Sequence, residues 1–316
     1  MRHRLLRILL ILLLFPPLLA AVAGWLVGPS FLHPVRRELT SDLIREADVT
    51  FAPIGAHRED FEVRASDGII LRGWKVRPSH ANGSWILVFH GVADNRVGVT
   101  GQAELLLKGG YSVVMMDARA HGASDGSMAT YGWLERNDTR SVIDTLEASE
   151  RPQHLFALGE SMGAGIALQS AAADSRIEAV VAEAPFASLR EASYDYAGLR
   201  RYPWLGKTLF APFSWTLVYR GESLAGFPAS GVSPEKSVAA RAFPVLLICD
   251  EQDEALPCRH SEMIYAAARG PKQLWRVPGA FHTAALGFEP VAFRRRVLAF
   301  FAAASTTPLL QQAATP

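Results

Sequence analysis

The chain has 316 residues, room for one large core with short appendages, because single cores stop growing near roughly 250–300 residues. With 49% hydrophobic and 20% charged residues it is not a disordered chain, and a formal net charge of +1 supplies no basic field to gather nucleic acid. Cys249 and Cys258 lack the paired spacing of a zinc site and are too few for a disulfide scaffold, so one bridge in an oxidising compartment or two separate thiols both stay open.

In chain order, the first feature is Ile8 to Gly28, which carries no charge and as a helix is long enough to cross a hydrocarbon core of about 30 Å. Residues 1–30 are therefore expected to be a membrane anchor. Arg2, Arg4 and Arg7 ahead of it favour a cytoplasmic N-terminus and place the bulk of the chain outside the cytoplasm. The rival is a cleaved signal peptide, giving a secreted or periplasmic protein, since Pro16-Pro17 interrupts the run and Ala21-Val22-Ala23 resembles a small-residue cleavage site. A third reading is a helix buried in the soluble core; on the first, the segment is expected to supply membrane contact only.

An amphipathic stretch from Val35 to Thr50 leads to Phe61–Arg77, two strands joined at Asp67-Gly68, a dipeptide suited to tight turns. Short apolar runs then alternate with helical stretches: strands at Trp85–Phe89, Tyr111–Met116, His154–Leu158, Ile177–Ala182, Val245–Cys249 and Leu274–Val277. Helices fall between them at Gln102–Lys108, Trp133–Ala148, Met162–Ala173, His260–Ala268 and Val291–Ala303. This alternation predicts an α/β domain over residues 45–305: a mainly parallel sheet with a leading β-hairpin and helices on both faces. One interval breaks the rhythm. Phe186 to Arg241 is longer than a crossover needs and rich in aromatic residues, so 186–241 is expected to be a lid-like insertion, with Trp204, Phe210 and Trp215 lining an apolar pocket. The bland reading is a helical excursion packed onto the core. Residues 306–316 read as a frayed tail.

The chemistry lies at the ends of these strands. Gly159-Glu160-Ser161-Met162-Gly163 sits between a strand and a helix, the context in which a serine is exposed on a sharp turn, with glycines letting strand and helix pass closely. His90-Gly91-Val92 follows the strand ending at Phe89. Asp250 to Pro257 is a carboxylate-rich loop after Cys249, and Pro278-Gly279-Ala280-Phe281-His282 follows Val277. Asp117 to Ser124, with Ala120 at a position where glycine is usual, completes the set, and Tyr131-Gly132-Trp133 and Asp138 follow it.

These segments together resemble the serine hydrolases of the α/β-hydrolase fold, in a membrane-tethered branch similar to esterases, lipases and serine aminopeptidases. The resemblance spans about Phe61 to Ala303. It implies Ser161 as nucleophile, His282 as base and Asp253 as the acid that orients it, with Asp250 and Glu254 as neighbouring candidates for the acid. The backbone amides of Val92 and Met162 would form the oxyanion hole. The order Ser, Asp, His fits the family, and His121, which precedes the serine, does not. The expected reaction is hydrolysis of a small-molecule ester or acyl substrate without metal or organic cofactor. An amidase or peptidase would use the same triad, and a non-catalytic binding protein could keep the fold; a serine at the elbow disfavours haloalkane or epoxide chemistry.

Overall fold

The computed structural model describes residues 2–306, so the expected tail lies outside the described residues apart from Thr306. Eight strands form one sheet: β1 His57–Arg64, β2 Ile70–Arg77, β3 Ser84–Phe89, β4 Ser112–Met116, β5 His154–Glu160, β6 Ile177–Glu183, β7 Val245–Asp250 and β8 Lys272–Val277. Their spatial order is β1-β2-β4-β3-β5-β6-β7-β8; the β1–β2 and β2–β4 pairs are antiparallel and the others parallel. The hairpin, the alternation and the mainly parallel sheet are as expected from the sequence.

The helices are α1 Arg2–Leu32, α2 Ser41–Phe51, α3 Thr100–Lys108, α4 Glu135–Glu150, α5 Met162–Ala173, α6 Leu189–Ala197, α7 Pro203–Lys207, α8 Ala211–Ala225, α9 Pro234–Ala240, α10 Arg259–Ala267, α11 Ala285–Phe288 and α12 Pro290–Thr306. A strand's side chains alternate between faces, so a sheet covered on both sides has two cores. Ile86 and Val88 of β3, Phe156 and Leu158 of β5 and Leu246 and Ile248 of β7 pack in one core with Leu106 of α3 and Phe293, Val297 and Phe301 of α12. The intervening Trp85, Leu87, Leu155, Ala157, Val245 and Leu247 pack in the other, against Ile143 of α4, Ala164 and Leu168 of α5 and Ile264 of α10.

A third, smaller core joins the end of α1 to the 186–241 interval. Leu32 is fully buried with Phe186, Phe227 and Val232, and Phe31 and Tyr131 pack against them. The interval folds as α6 to α9, and α8 lies along α1. Gly24 and Gly28 make that approach feasible: a Cβ at Gly24 would collide with the Phe213 carbonyl, and one at Gly28 would come within 2.8 Å of the Arg220 Cβ. Small residues four apart let two helix backbones pack closely. The Thr216 hydroxyl donates to the Ala21 carbonyl at 2.7 Å, and Trp25 stacks on Tyr219 with centroids 6.3 Å apart.

Helix α1 runs unbroken through Pro16 and Pro17, where the sequence suggests an interruption. Each proline removes one N–H donor, a cost that apolar helices tolerate. Leu13–Leu32 is long and apolar enough to cross a membrane, with mean hydropathy 1.6.

Candidate active site

In parallel α/β sheets, ligands bind beyond the carboxyl ends of the strands. Here β3 leads into His90, β5 into Ser161, β7 into the loop carrying Asp253 and β8 into the loop carrying His282, so all four segments meet at one edge. Ser161 has φ 52° and ψ −117°, a left-handed conformation that costs a non-glycine residue about 1–3 kcal/mol and turns its side chain out of the strand. The neighbouring glycines are sterically required: a Cβ at Gly159 would strike the Gly163 carbonyl, and one at Gly163 the carbonyl of Phe89.

The Ser161 Oγ lies 2.8 Å from His282 Nε2, and His282 Nδ1 lies 2.6 Å from Asp253 Oδ2. With its proton on Nδ1, the imidazole donates to Asp253 and accepts from Ser161, the arrangement a general base needs. Asp253 is buried, and its other oxygen accepts from the amides of Ala255 and Leu256, both at 2.8 Å, which fixes the carboxylate toward the histidine. Cys249 and Cys258 are joined by a disulfide with Cα atoms 5.2 Å apart, which ties the two ends of this loop together.

The other sequence candidates have different places. Asp250 accepts from the amide of Thr283 at 2.9 Å and so supports the His282 loop from below; burial, with Asp253 nearby, pushes its carboxyl up to about 6. His121 is fully buried edge-on against His90, with Nδ1 2.9 Å from the Arg119 carbonyl, and does not reach Ser161. Its segment is structural. Asp117 accepts from Arg96 and from the amides of Arg96 and Ala123, while Arg119 pairs with Asp138. Ala120 has φ 62°, which accounts for the usual glycine at that position.

Two acids beneath the elbow were not anticipated. Glu160 receives the Gln102 side-chain amide at 2.9 Å and a backbone hydrogen bond from Gly91; burial first, and Asp94 second, push it up to about 8. Glu183, fully buried, accepts from the Ala285 amide at 2.9 Å; burial and then Asp250 raise its carboxyl well above the ordinary range. Glu160 thus braces the loop carrying Val92, and Glu183 the loop after His282.

A cavity of about 430 Å³ opens at Ser161 and His282, with Val92 and Met162 on its wall. Met162 is the first residue of α5, so its amide has no acceptor within the helix and is available to an anion. The cavity is apolar, and its lining corrects two sequence expectations. Trp204 and Trp215 do not line it: both are exposed, and the residues of α8 on the cavity wall are Phe213, Leu217 and Val218, while no residue of α7 reaches it. Phe210 borders a different cavity. The site is instead lined by Phe213 and Leu217 of α8, Leu189 and Tyr196 of α6, and Tyr131 and Phe186. Val27, Ser30 and Phe31 of α1 also line it, so the expectation that the N-terminal segment supplies membrane contact only does not hold. Helical spacing in the sequence could have grouped Phe213 with Leu217 and Val27 with Phe31, but not shown that they face each other.

The 186–241 interval, which walls this cavity as a cover, is anchored to the body. Asp195 of α6 is fully buried and lies 2.6 Å from His260 Nε2, while the other ring nitrogen of His260 accepts from the Ala187 amide at 3.2 Å.

Comparison with known proteins agrees with this architecture. The family model described as serine aminopeptidase, S33, matches residues 81–218. YqkD of Bacillus subtilis is 28% identical over 92% of this chain and 96% of its own length; YfhR of Salmonella typhi is 30% identical over 73% and 77%. Among solved structures, the esterase Pf2001 of Pyrococcus furiosus superposes with a TM-score of 0.67 at 22% identity, covering 86% of this chain and 99% of that one. The chain has the α/β-hydrolase fold, belongs to one family with YfhR, and over residues 81–218 matches the family described as serine aminopeptidase, S33.

Proposed function

We propose that this hydrolase cleaves carboxylic esters through an acyl-enzyme. The observation that carries the reading is the continuous hydrogen-bond chain Ser161–His282–Asp253 at 2.8 and 2.6 Å, opening on an apolar cavity. Ser161 Oγ attacks the ester carbonyl as His282 takes its proton; the oxyanion rests on the amides of Val92 and Met162; the C–O bond breaks, and His282 gives the proton to the departing alcohol. Water, deprotonated by the same imidazole, then attacks the acyl-enzyme carbonyl; the C–Oγ bond breaks, the acid leaves, and His282 returns the proton to Ser161.

The cavity favours this over aminopeptidase action. A substrate's α-ammonium must be met by a carboxylate or pay heavily for desolvation, and among the described residues lining the cavity there is no Asp or Glu. Apart from His282, an uncharged acyl chain meets Phe, Leu, Val, Tyr, Met and small side chains there. That Pf2001 is an esterase is consistent with the choice.

The same reading keeps α1 as an uncleaved anchor, since Phe31, Leu32 and the Gly24–Gly28 face are packed into the domain. The Cys249–Cys258 bridge supports a catalytic domain outside the cytoplasm, where disulfides persist.

The test is labelling by a fluorophosphonate, in which the Ser161 Oγ–P bond forms and fluoride leaves. The protein should label at Ser161 and hydrolyse p-nitrophenyl butanoate. Ser161→Ala and His282→Ala should lose both while their circular dichroism stays native. Labelling that survives in folded Ser161→Ala, or ester turnover unchanged in His282→Ala, refutes the assignment.

A further inference from the structure

A second cavity, of about 290 Å³, lies between α1 and the cover, bordered by Pro16, Leu19, Ala20 and Ala23 on one side and Leu199 and Phe210 on the other. Tyr196 and Phe213 belong to the walls of both this cavity and the one at Ser161. The two voids are therefore neighbours across a pair of side chains, strung along one face of α1 from Phe31 back to Pro16. From Val27 to Pro16 that face spans about 17 Å at the helical rise of 1.5 Å per residue, close to the roughly 15 Å hydrocarbon depth of one membrane leaflet.

The surroundings of this second cavity have the composition of a lipid interface. On α1, Leu13, Leu14, Phe15, Leu18 and Leu26 are exposed, with Leu26 71% accessible. On the cover, Tyr202, Trp204, Trp215 and Tyr219 are exposed, and cations sit over rings nearby: Arg201 over Tyr202 at 5.8 Å, Arg200 over Tyr196 at 4.7 Å and Arg220 over Trp25 at 4.6 Å. Amphipathic aromatic residues with Lys and Arg beside them collect where hydrocarbon gives way to headgroups.

We infer that the α1–cover cavity is the distal acyl-chain site for the ester cleaved at Ser161, and that the chain reaches it from the bilayer holding α1. The substrate class is thus a long-chain acyl ester resident in a membrane. This rests on the ester-hydrolase reading above and adds to it a site and a route. Helix α1 then has two jobs: it holds the domain at the membrane, and it is one wall of the path by which a chain leaves the lipid. Burying the chain along this path removes apolar surface from water, so affinity should grow roughly fourfold per CH₂ and keep growing with chain length well beyond what the cavity at Ser161 holds.

The experiment uses the full chain reconstituted in phosphatidylcholine–phosphatidylglycerol vesicles and a hexadecyl fluorophosphonate bearing a diazirine at the end of its chain. After the adduct forms at Ser161, illumination should crosslink the chain end to peptides spanning residues 16–23 or 199–213. An adduct at Ser161 with crosslinks elsewhere only overturns the distal site while leaving the hydrolase reading intact; no adduct at Ser161 overturns both. In a second arm, Ala23→Phe, which fills the distal cavity, should lower the ratio of hexadecanoyl to butanoyl ester kcat/KM at least tenfold, and an unchanged ratio counts against the site. In a third, the hexadecanoyl ester should be cleaved at least tenfold faster from the vesicle than when carried on albumin. Equal rates overturn entry from the bilayer.

Discussion

Phe31→Ala tests the least expected feature of the site, a pocket wall contributed by the N-terminal helix. The Phe31 ring lies 5.8 Å from that of Tyr131, over Gly221, where a Cβ would occupy its place, and borders the cavity at Ser161 without touching the triad. Truncating a fully buried Phe costs about 3–5 kcal/mol; Phe31 is half-buried, so about 2 kcal/mol of stability should be lost, a fall of roughly 3 °C in Tm for a chain of this size. The Tyr131 hydroxyl should keep its 2.6 Å bond to the residue 31 carbonyl, which holds the backbone in place. An acyl chain resting on half of a Phe side chain gives up about 1 kcal/mol when the ring goes, or roughly fivefold in kcat/KM. Acyl chains too short to reach the ring lose nothing. The assay is kcat/KM across p-nitrophenyl esters from ethanoyl to dodecanoyl, beside thermal melts. A uniform fall across the series, or a lowered Tm with unchanged relative rates, would show that the ring only packs and that α1 takes no part in substrate choice.

Removing residues 1–30 should leave a domain that is less stable and impaired on long esters, because Gly24, Gly28 and the pocket-lining Val27 and Ser30 go with it; a truncation with the melting temperature and ester profile of the full chain in detergent would refute this. Stability should fall with rising pH. Glu160 binds its proton more tightly when folded, about 8, than when unfolded, so between the ordinary carboxylate value and pH 8 the folded state holds more protons and loses about 1.4 kcal/mol per pH unit. Denaturant melts from pH 6 to 8 should show this slope reduced by about that amount in Glu160→Gln; equal slopes would mean that Glu160 does not titrate there. Replacing both Cys249 and Cys258 with serine opens a short loop and should cost about 2–3 kcal/mol, read from denaturant midpoints, with kcat falling as the Asp253 loop loosens. A variant with unchanged midpoint and kcat would show that the bridge does not restrain the acid.

The sequence alone determined the sheet and the edge on which the chemistry sits. Strand and helix periods are local, and in β3, β5 and β7 the side chains on each face are apolar because both faces are covered, so each strand announced itself as a short apolar run. Ser161 was legible because its conformation demands small neighbours at Gly159 and Gly163, a steric requirement written in adjacent residues. Asp253 and His282 were legible as residues at strand ends, yet which of three nearby acids faces the histidine was decided only by the fold, which gives Asp250 to the Thr283 amide and Asp253 to the imidazole.

The pocket was not legible, because its walls come from segments far apart in the chain. Phe31 and Phe213 are separated by 182 positions and meet only because α1 packs along α8, and nothing in either segment names its partner. Hydrophobicity marked Trp204 and Trp215 as strongly as Phe213, but burial is a property of the assembled surface, and the two tryptophans turn outward. For the same reason the apolar run at the N-terminus read as an anchor, a signal peptide or a buried helix with no part in the site: composition measures affinity for hydrocarbon, whereas the contact between one face of α1 and the catalytic cavity exists only once the tertiary structure has brought them together.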